Sequence, residues 1–308
     1  MLSTIGIHES VGAVFRPEAL RDALEDIDPD VRIVSTGDLG GCDALVTLAY
    51  DNAFLEADLE WIHSIQAGVD RFPFDALEST GITLTNSTGI HGDAVGETVA
   101  GYMLSFARGL HHYRDNEADH EWDRQDWDVP FTLGEESVCV VGLGTLGRGV
   151  AARADALGMD VVGVKRTPIP VDHVGTVYPS GELKTTVAEA RFVVVTVPLT
   201  DRTEGLIGTA ELSAMRSDAV LINVARGRVL DQTALVDALE TGTIGGAALD
   251  VFETEPLPAD SPLWGMENVI VTPHAAAATG AYYRRIATLV RENVRRRDDG
   301  EGLANRVV

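Results

Sequence analysis

The run Val138-Cys-Val-Val-Gly-Leu-Gly-Thr-Leu-Gly147 constrains the fold of this chain more than any other. Four strand-forming residues lead directly into Gly-x-Gly-x-x-Gly, and Val150, Ala154 and Leu157 then recur at helical spacing. A strand, a tight glycine turn and a helix in this order imply a parallel sheet with crossover helices. Gly142 permits the tight turn, Gly144 lets the backbone approach a pyrophosphate, and Gly147 allows close packing of helix on strand. The helix N-terminus offers free N–H groups and a partial positive charge to an anion. The segment therefore reads as a dinucleotide site. The next strand, Val161–Val164, ends where a carboxylate would hold the ribose 2′-hydroxyl of NAD, and Lys165-Arg166-Thr167 stands there instead. Two cations and a hydroxyl suit a 2′-phosphate, so NADP is expected in preference to NAD.

The rest of the chain repeats the alternation. Thr4–Ile7, Val31–Val34, Leu45–Leu48, Ile62–Ile65 and Ile82–Thr85 read as strands, with helical spacing across Arg16–Ile27. A long helix is expected over Ala94–His111. Val138–Val141 opens a second series, continued by Val161–Val164, Phe192–Val197, Val220–Val224, Ala247–Val251 and Val269–Val271. Helices are expected to begin near Gly144, Thr186, Gly208 and Gln232, which makes a six-stranded doubly wound sheet. Thr279–Arg297 reads as a closing helix with a basic end, able to pack back on the first unit.

Composition bounds the class. The chain has 308 residues and a formal net charge of −24, and Lys165 and Lys184 are its only lysines. Nucleic acid and anionic membrane would repel so acidic a surface unless it held a basic patch. No apolar run approaches the roughly 18 residues that a membrane span needs. Met1–Ile7 lacks the basic and apolar pattern of a secretory signal, and a cytoplasmic protein is expected. Cys42 and Cys139 are too few for a disulfide framework and lack metal-ligand spacing, so no metal is expected. Acidity with so little lysine points to concentrated salt, where at about 1 M the screening length falls to roughly 3 Å and self-repulsion fades. Within Glu117–Asp128, six acids accompany Trp122 and Trp127, whose presence suggests partial burial, here or against another subunit.

Three further segments follow predicted strands of the second series: Asn223-Val-Ala-Arg-Gly-Arg228, Leu249-Asp-Val-Phe-Glu-Thr-Glu-Pro256 and Val271-Thr-Pro-His-Ala275. In an open α/β sheet, ligands bind beyond the carboxyl ends of the strands. The three segments bring a guanidinium, a carboxylate and an imidazole to that edge. A 2-oxo acid needs this set: a cation for its carboxylate, an acid for its carbonyl oxygen, and an anion to hold the acid charged.

With GLGTLG at 142–147, INVARGRVLD at 222–231, LDVFETEPLP at 249–258 and TPHAA at 273–277, the chain resembles the D-isomer-specific 2-hydroxyacid dehydrogenases along nearly its whole length. The resemblance implies two doubly wound parallel-sheet α/β domains. A flavodoxin-like substrate domain would span residues 1–92 plus 280–308, and a Rossmann cofactor domain 93–279. It also implies a homodimer joined through the cofactor domains, and reduction of 2-oxo acids to D-2-hydroxy acids. Carried over by position, Arg226 would bind the substrate carboxylate and polarise the carbonyl. His274 would be the acid/base, and Glu255 would orient it and favour its charged form. Asp250 would hold the nicotinamide side, near the Val224–Ala225 backbone. Thr145 and Leu146 would contact the pyrophosphate, and Thr196–Pro198 would flank the adenosine. Gly68 and Val69 match a turn whose backbone amides grip the substrate carboxylate. Ser87 and Thr98 are weaker cofactor candidates.

Other readings stay open at this point. A formate dehydrogenase shares the fold but typically has glutamine at the Glu255 position. A phosphoglycerate- or glyoxylate-type dehydrogenase fits the same motifs. A non-enzymatic NAD(P) sensor could keep the Arg–Glu–His set.

Overall fold

A computed structural model describes residues 2–308. The chain divides into two compact units: everything up to Ile90 together with Ala278–Val308, and His91–Ala277. In chain order the first unit contributes β1 (Thr4–His8), α1 (Pro17–Ala23), β2 (Asp30–Val34), β3 (Ala44–Thr47), β4 (Trp61–Ser64), α2 (Phe74–Thr80) and β5 (Thr83–Thr85). The second begins with α3 (Gly92–Arg108) and α4 (Leu110–Asp119), then β6 (Ser137–Val141), α5 (Thr145–Ala156), β7 (Asp160–Lys165) and β8 (Thr176–Pro179). It continues with α6 (Leu183–Val187), β9 (Phe192–Val195), α7 (Thr209–Leu212), β10 (Val220–Asn223), α8 (Gln232–Glu240), β11 (Gly246–Leu249) and β12 (Val269–Val271). The chain then returns to the first unit as α9 (Tyr282–Asp298).

Both sheets are wholly parallel. The first has order β2-β1-β3-β4-β5, and the second β12-β11-β10-β9-β6-β7-β8. Alternate residues of each buried strand feed opposite faces, as the two-residue pleat requires. On β6, Cys139 and Val141 enter one core while Val138 and Val140 enter the other; on β9, Val193 and Val195 divide from Phe192 and Val194 in the same way. In the first unit α9 closes one face, burying Tyr282, Ile286 and Val290 against Ile5, Ile7, Val46 and Trp61.

The expected sheet of six strands has seven. β8 joins the edge beside β7 and places Pro179 opposite Lys165. A four-residue edge strand ending in proline has little periodic signal, and an edge is where proline is tolerated. The expected helix over Ala94–His111 breaks at Gly109, whose φ of +63° ends α3 in a left-handed turn. Trp122 and Trp127 are fully exposed, so neither is buried within the chain.

α3 lies on α5 at very short range. A side chain on Gly149 would overlap the Gly92 carbonyl, and one on Gly96 would overlap the Gly149 carbonyl. The ion pairs of Arg153 with Asp93 and Glu97 join the same two helices. α3 is thereby fixed to the helix that follows the glycine turn.

Candidate active site

The second sheet reverses its winding between β6 and β9, and the loops after those strands meet there. Gly142 leaves β6 at φ +98°, a conformation natural to glycine. A side chain on Gly147 would overlap the Gly142 carbonyl, so helix and turn touch directly. Thr196, buried after β9, donates its hydroxyl to the carbonyls of Gly142 (2.6 Å) and Val141 (3.1 Å). It braces the turn, and its hydroxyl proton is already engaged. Gly144, by contrast, is exposed, and a Cβ there would meet nothing within 4 Å. As N-cap of α5 it supplies no side-chain cap, which leaves the first N–H groups to a ligand. Thr145 and Leu146 follow, half-buried, and Pro198 is exposed. This open, cationic-ended cradle fits a dinucleotide pyrophosphate.

Lys165 ends β7 half-buried, and Arg166 and Thr167 are exposed beyond it. Among the described residues neither cation forms an ion pair, although the chain has 48 acidic side chains.

β10, β11 and β12 are neighbours, so the residues beyond their carboxyl ends gather on one edge. After β10, buried Asn223 shapes the turn: its side-chain oxygen accepts from Ala225 N–H (3.1 Å) and its NH₂ donates to the Arg226 carbonyl (3.1 Å). Val224 and Ala225 are buried, and Arg226 emerges half-buried with Nη1 donating to the Ala225 carbonyl. Gly227 follows because any Cβ would overlap the Phe252 carbonyl. That close approach seats the Arg226 turn against the loop bearing Glu255.

Glu255 is held at both oxygens. Oε1 accepts from the Phe252 N–H (3.1 Å), and Oε2 accepts from His274 Nδ1 (2.8 Å). Since an ionised carboxylate only accepts, Nδ1 bears the proton, and Nε2 points away from the pair. Both side chains are partly open to solvent, at 35 % for His274 and 38 % for Glu255. Glu253, two residues earlier, accepts instead from Gln232 N–H at the start of α8. His274 stands at φ +52°, which is unusual for a residue with a side chain.

Asp250, buried, turns its carboxylate into the His274 loop. Oδ1 accepts from Thr272 Oγ1 (2.6 Å) and Ala275 N–H (2.8 Å), and Oδ2 from Ala276 N–H (2.9 Å). Three of its roughly four acceptor positions are thus taken within the loop. Two side chains of α3 reach the same loop: Thr98, the weaker cofactor candidate, and Tyr102, which no motif marks. Thr98 donates to the Ala276 carbonyl (3.0 Å), and the Tyr102 hydroxyl meets Thr272 Oγ1 at 2.6 Å. Burial pushes the Tyr102 hydroxyl up to about 12. Tyr102 and Thr272 are 170 positions apart, so no local pattern could join them.

In the first unit Gly68 is half-buried and Val69 packs its side chain among Leu45, Ile62 and Phe72. Ser87 does not suit a cofactor contact: it is fully buried, and its hydroxyl donates to the Ser64 carbonyl at 2.9 Å. Among the described residues no His/Cys/Asp/Glu group could hold a metal ion, and no helix is long and apolar enough to cross a membrane.

Residues 100–276 match the family model for the NAD binding domain of D-isomer specific 2-hydroxyacid dehydrogenases. Glyoxylate/hydroxypyruvate reductase B of Yersinia pestis is 36 % identical over 234 residues, covering 74 % of this chain and 72 % of its own. A D-isomer specific 2-hydroxyacid dehydrogenase of Xanthobacter autotrophicus, solved with NADPH, is similar at TM-score 0.83 and 32 % identity, covering 100 % of this chain and 98 % of that one. The NADPH-dependent glyoxylate/hydroxypyruvate reductase of Sinorhizobium meliloti, solved with NADP and sulfate, gives 0.83 and 27 %, with 99 % and 98 % covered.

Proposed function

Because this chain belongs to the D-isomer specific 2-hydroxyacid dehydrogenase family, we propose that it reduces small 2-oxo acids to D-2-hydroxy acids with NADPH, and less readily with NADH. The observation behind this reading is the His274–Glu255 contact on the edge that Arg226 shares. When bound, the reduced nicotinamide supplies hydride to the carbonyl carbon. Arg226 pairs with the substrate carboxylate and polarises the carbonyl. His274 donates the Nε2 proton to the carbonyl oxygen, and Glu255 stabilises the imidazolium that makes this transfer possible.

The cofactor is held by Gly142, Gly144 and Gly147, with Thr145 and Leu146 at the pyrophosphate. Thr196 braces that turn, Pro198 would flank the adenosine, and the Val224–Ala225 turn and the loop that Asp250 holds would border the nicotinamide. Lys165, Arg166 and Thr167 receive the 2′-phosphate. The two cations without acidic partners support NADP over NAD, as do the NADPH and NADP in the two solved structures. The KM values for NADPH and NADH with one 2-oxo acid test this preference, and a clear preference for NADH refutes it. Glyoxylate and hydroxypyruvate, named in the relatives, are the first substrates to try.

The exposed apolar surface of Leu110, Trp122, Trp127 and Val129 supports a homodimer through the second unit. The charge of −24 with two lysines supports a salt-adapted protein. The free, buried thiols of Cys42 and Cys139 accord with a reducing, cytoplasmic setting.

A further inference from the structure

We propose that Tyr102 and Thr272 are positioning residues for the proton donor: a chain of hydroxyls from α3 through Thr272 to Asp250 fixes the loop that presents His274. The proposal rests on the reading of His274 as acid/base given above, but the arrangement itself stands on contacts within one unit.

The direction of each hydrogen bond follows from the chemistry of its groups. The Asp250 carboxylate can only accept, so the single hydroxyl proton of Thr272 goes to Oδ1 (2.6 Å). Thr272 Oγ1 must then accept from Tyr102, whose hydroxyl lies 2.6 Å away. Asp250 passes the constraint onward by accepting the N–H groups of Ala275 and Ala276, the two residues after His274. The backbone adds to this, since His274 N–H donates to the Asp250 carbonyl at 2.8 Å. Thr98, one helical turn before Tyr102, holds the Ala276 carbonyl. The loop is gripped from β11 on one side and from α3 on the other.

Such a grip has a task to perform. His274 occupies a left-handed backbone conformation, which persists only where the surroundings over-determine it. Its imidazole reaches Glu255 from that conformation, and a small rotation of the loop would break the 2.8 Å contact. α3 is itself locked to α5 through Gly92, Gly96 and Gly149. The helix that presents the pyrophosphate turn and the loop that presents the proton donor are therefore tied to one rigid element. Neither Tyr102 nor Thr272 belongs to the Arg–Glu–His set, and neither needs to touch substrate to act.

The test uses Y102F, T272V and T272S in the full-length protein, with two readouts. In 2-oxo acid reduction, Y102F and T272V are expected to lower kcat by about tenfold, the scale of one lost hydrogen bond in a preorganised loop, and T272S to restore it. NADPH affinity by fluorescence should stay within about twofold, because the pyrophosphate cradle is untouched. The double variant should be no slower than T272V alone, since one chain is cut once. In hydrogen exchange, the Ala275 and Ala276 amides should lose at least about tenfold protection in Y102F and T272V, while the interior of α3 keeps its own. Unchanged exchange at both amides overturns the proposal, as does additivity in the double variant. If the wild-type protein reduces no 2-oxo acid, the functional reading fails, and the exchange measurement still decides the clamp.

Discussion

Two histidines of this chain sit in opposite circumstances. His63, on β4 of the first unit, is fully buried. Ser87 gives its proton to the Ser64 carbonyl, so its oxygen accepts from His63 Nε2–H at 3.1 Å. Nδ1 must then accept from Thr85 (2.8 Å), whose oxygen in turn accepts from Trp61 Nε1–H (2.8 Å). Both ring nitrogens are satisfied internally, and desolvation pushes the imidazole down to about 3. His274 has one nitrogen bound to a carboxylate and is one-third open to solvent. The same side chain is structural where every position is closed and charge is excluded. The proposed acid differs in having one position held by an anion and the other left out.

The largest expected effect lies with the second histidine. H274A should lower kcat for 2-oxo acid reduction by about a thousandfold while leaving the unfolding midpoint in urea nearly unchanged. A comparable loss of activity in a variant of His63 that remains folded would break the contrast. E255Q is the next test. Without the anion, the imidazolium loses its partner, so kcat should fall by about tenfold or more. An unchanged kcat contradicts the assigned role.

His63 governs a different pH dependence. Because burial lowers it from 6.5 to about 3, the folded chain favours the neutral ring. Its contribution to stability is full above pH 6.5 and falls as pH drops from there toward 3, by up to about 1.4 kcal/mol per pH unit. H63Q should therefore be less stable than wild type at pH 7, with the gap narrowing on acidification. Urea unfolding from pH 7 to 4 measures the gap, and a gap that widens refutes the account. The smallest effect concerns the cofactor. K165A/R166A should raise KM for NADPH by about tenfold and leave that for NADH within about twofold, with the difference shrinking in high salt.

The second unit was the more legible of the two in sequence. Its site residues come in contiguous motifs at strand ends, where the residue types themselves declare a guanidinium, a carboxylate and an imidazole. The edge strand Thr176–Pro179 gave no such signal, being short, half-buried and ended by proline. Trp122 and Trp127 look like core residues by type, yet the fold leaves them outside. Ser87 follows a predicted strand, as a ligand contact would, but its hydroxyl is bonded to His63 and Ser64 of β4, and side-chain direction depends on packing that the linear order does not state. Tyr102 and Thr272 illustrate the same limit. On α3, Tyr102 reads as one more residue of the apolar stripe. Its hydroxyl acquires a partner only when β12 is laid beside β11 and the loop beyond it is brought under the helix.

The proposal that His274, held by Glu255, is the acid of a 2-oxo acid reduction meets its sharpest test in one assay. That assay follows NADPH oxidation with glyoxylate and hydroxypyruvate in concentrated KCl, for wild type and H274A side by side. Substrate-dependent turnover is expected of the wild-type protein, and almost none of a variant that still binds NADPH. Turnover of comparable rate in both, or none in either, contradicts it.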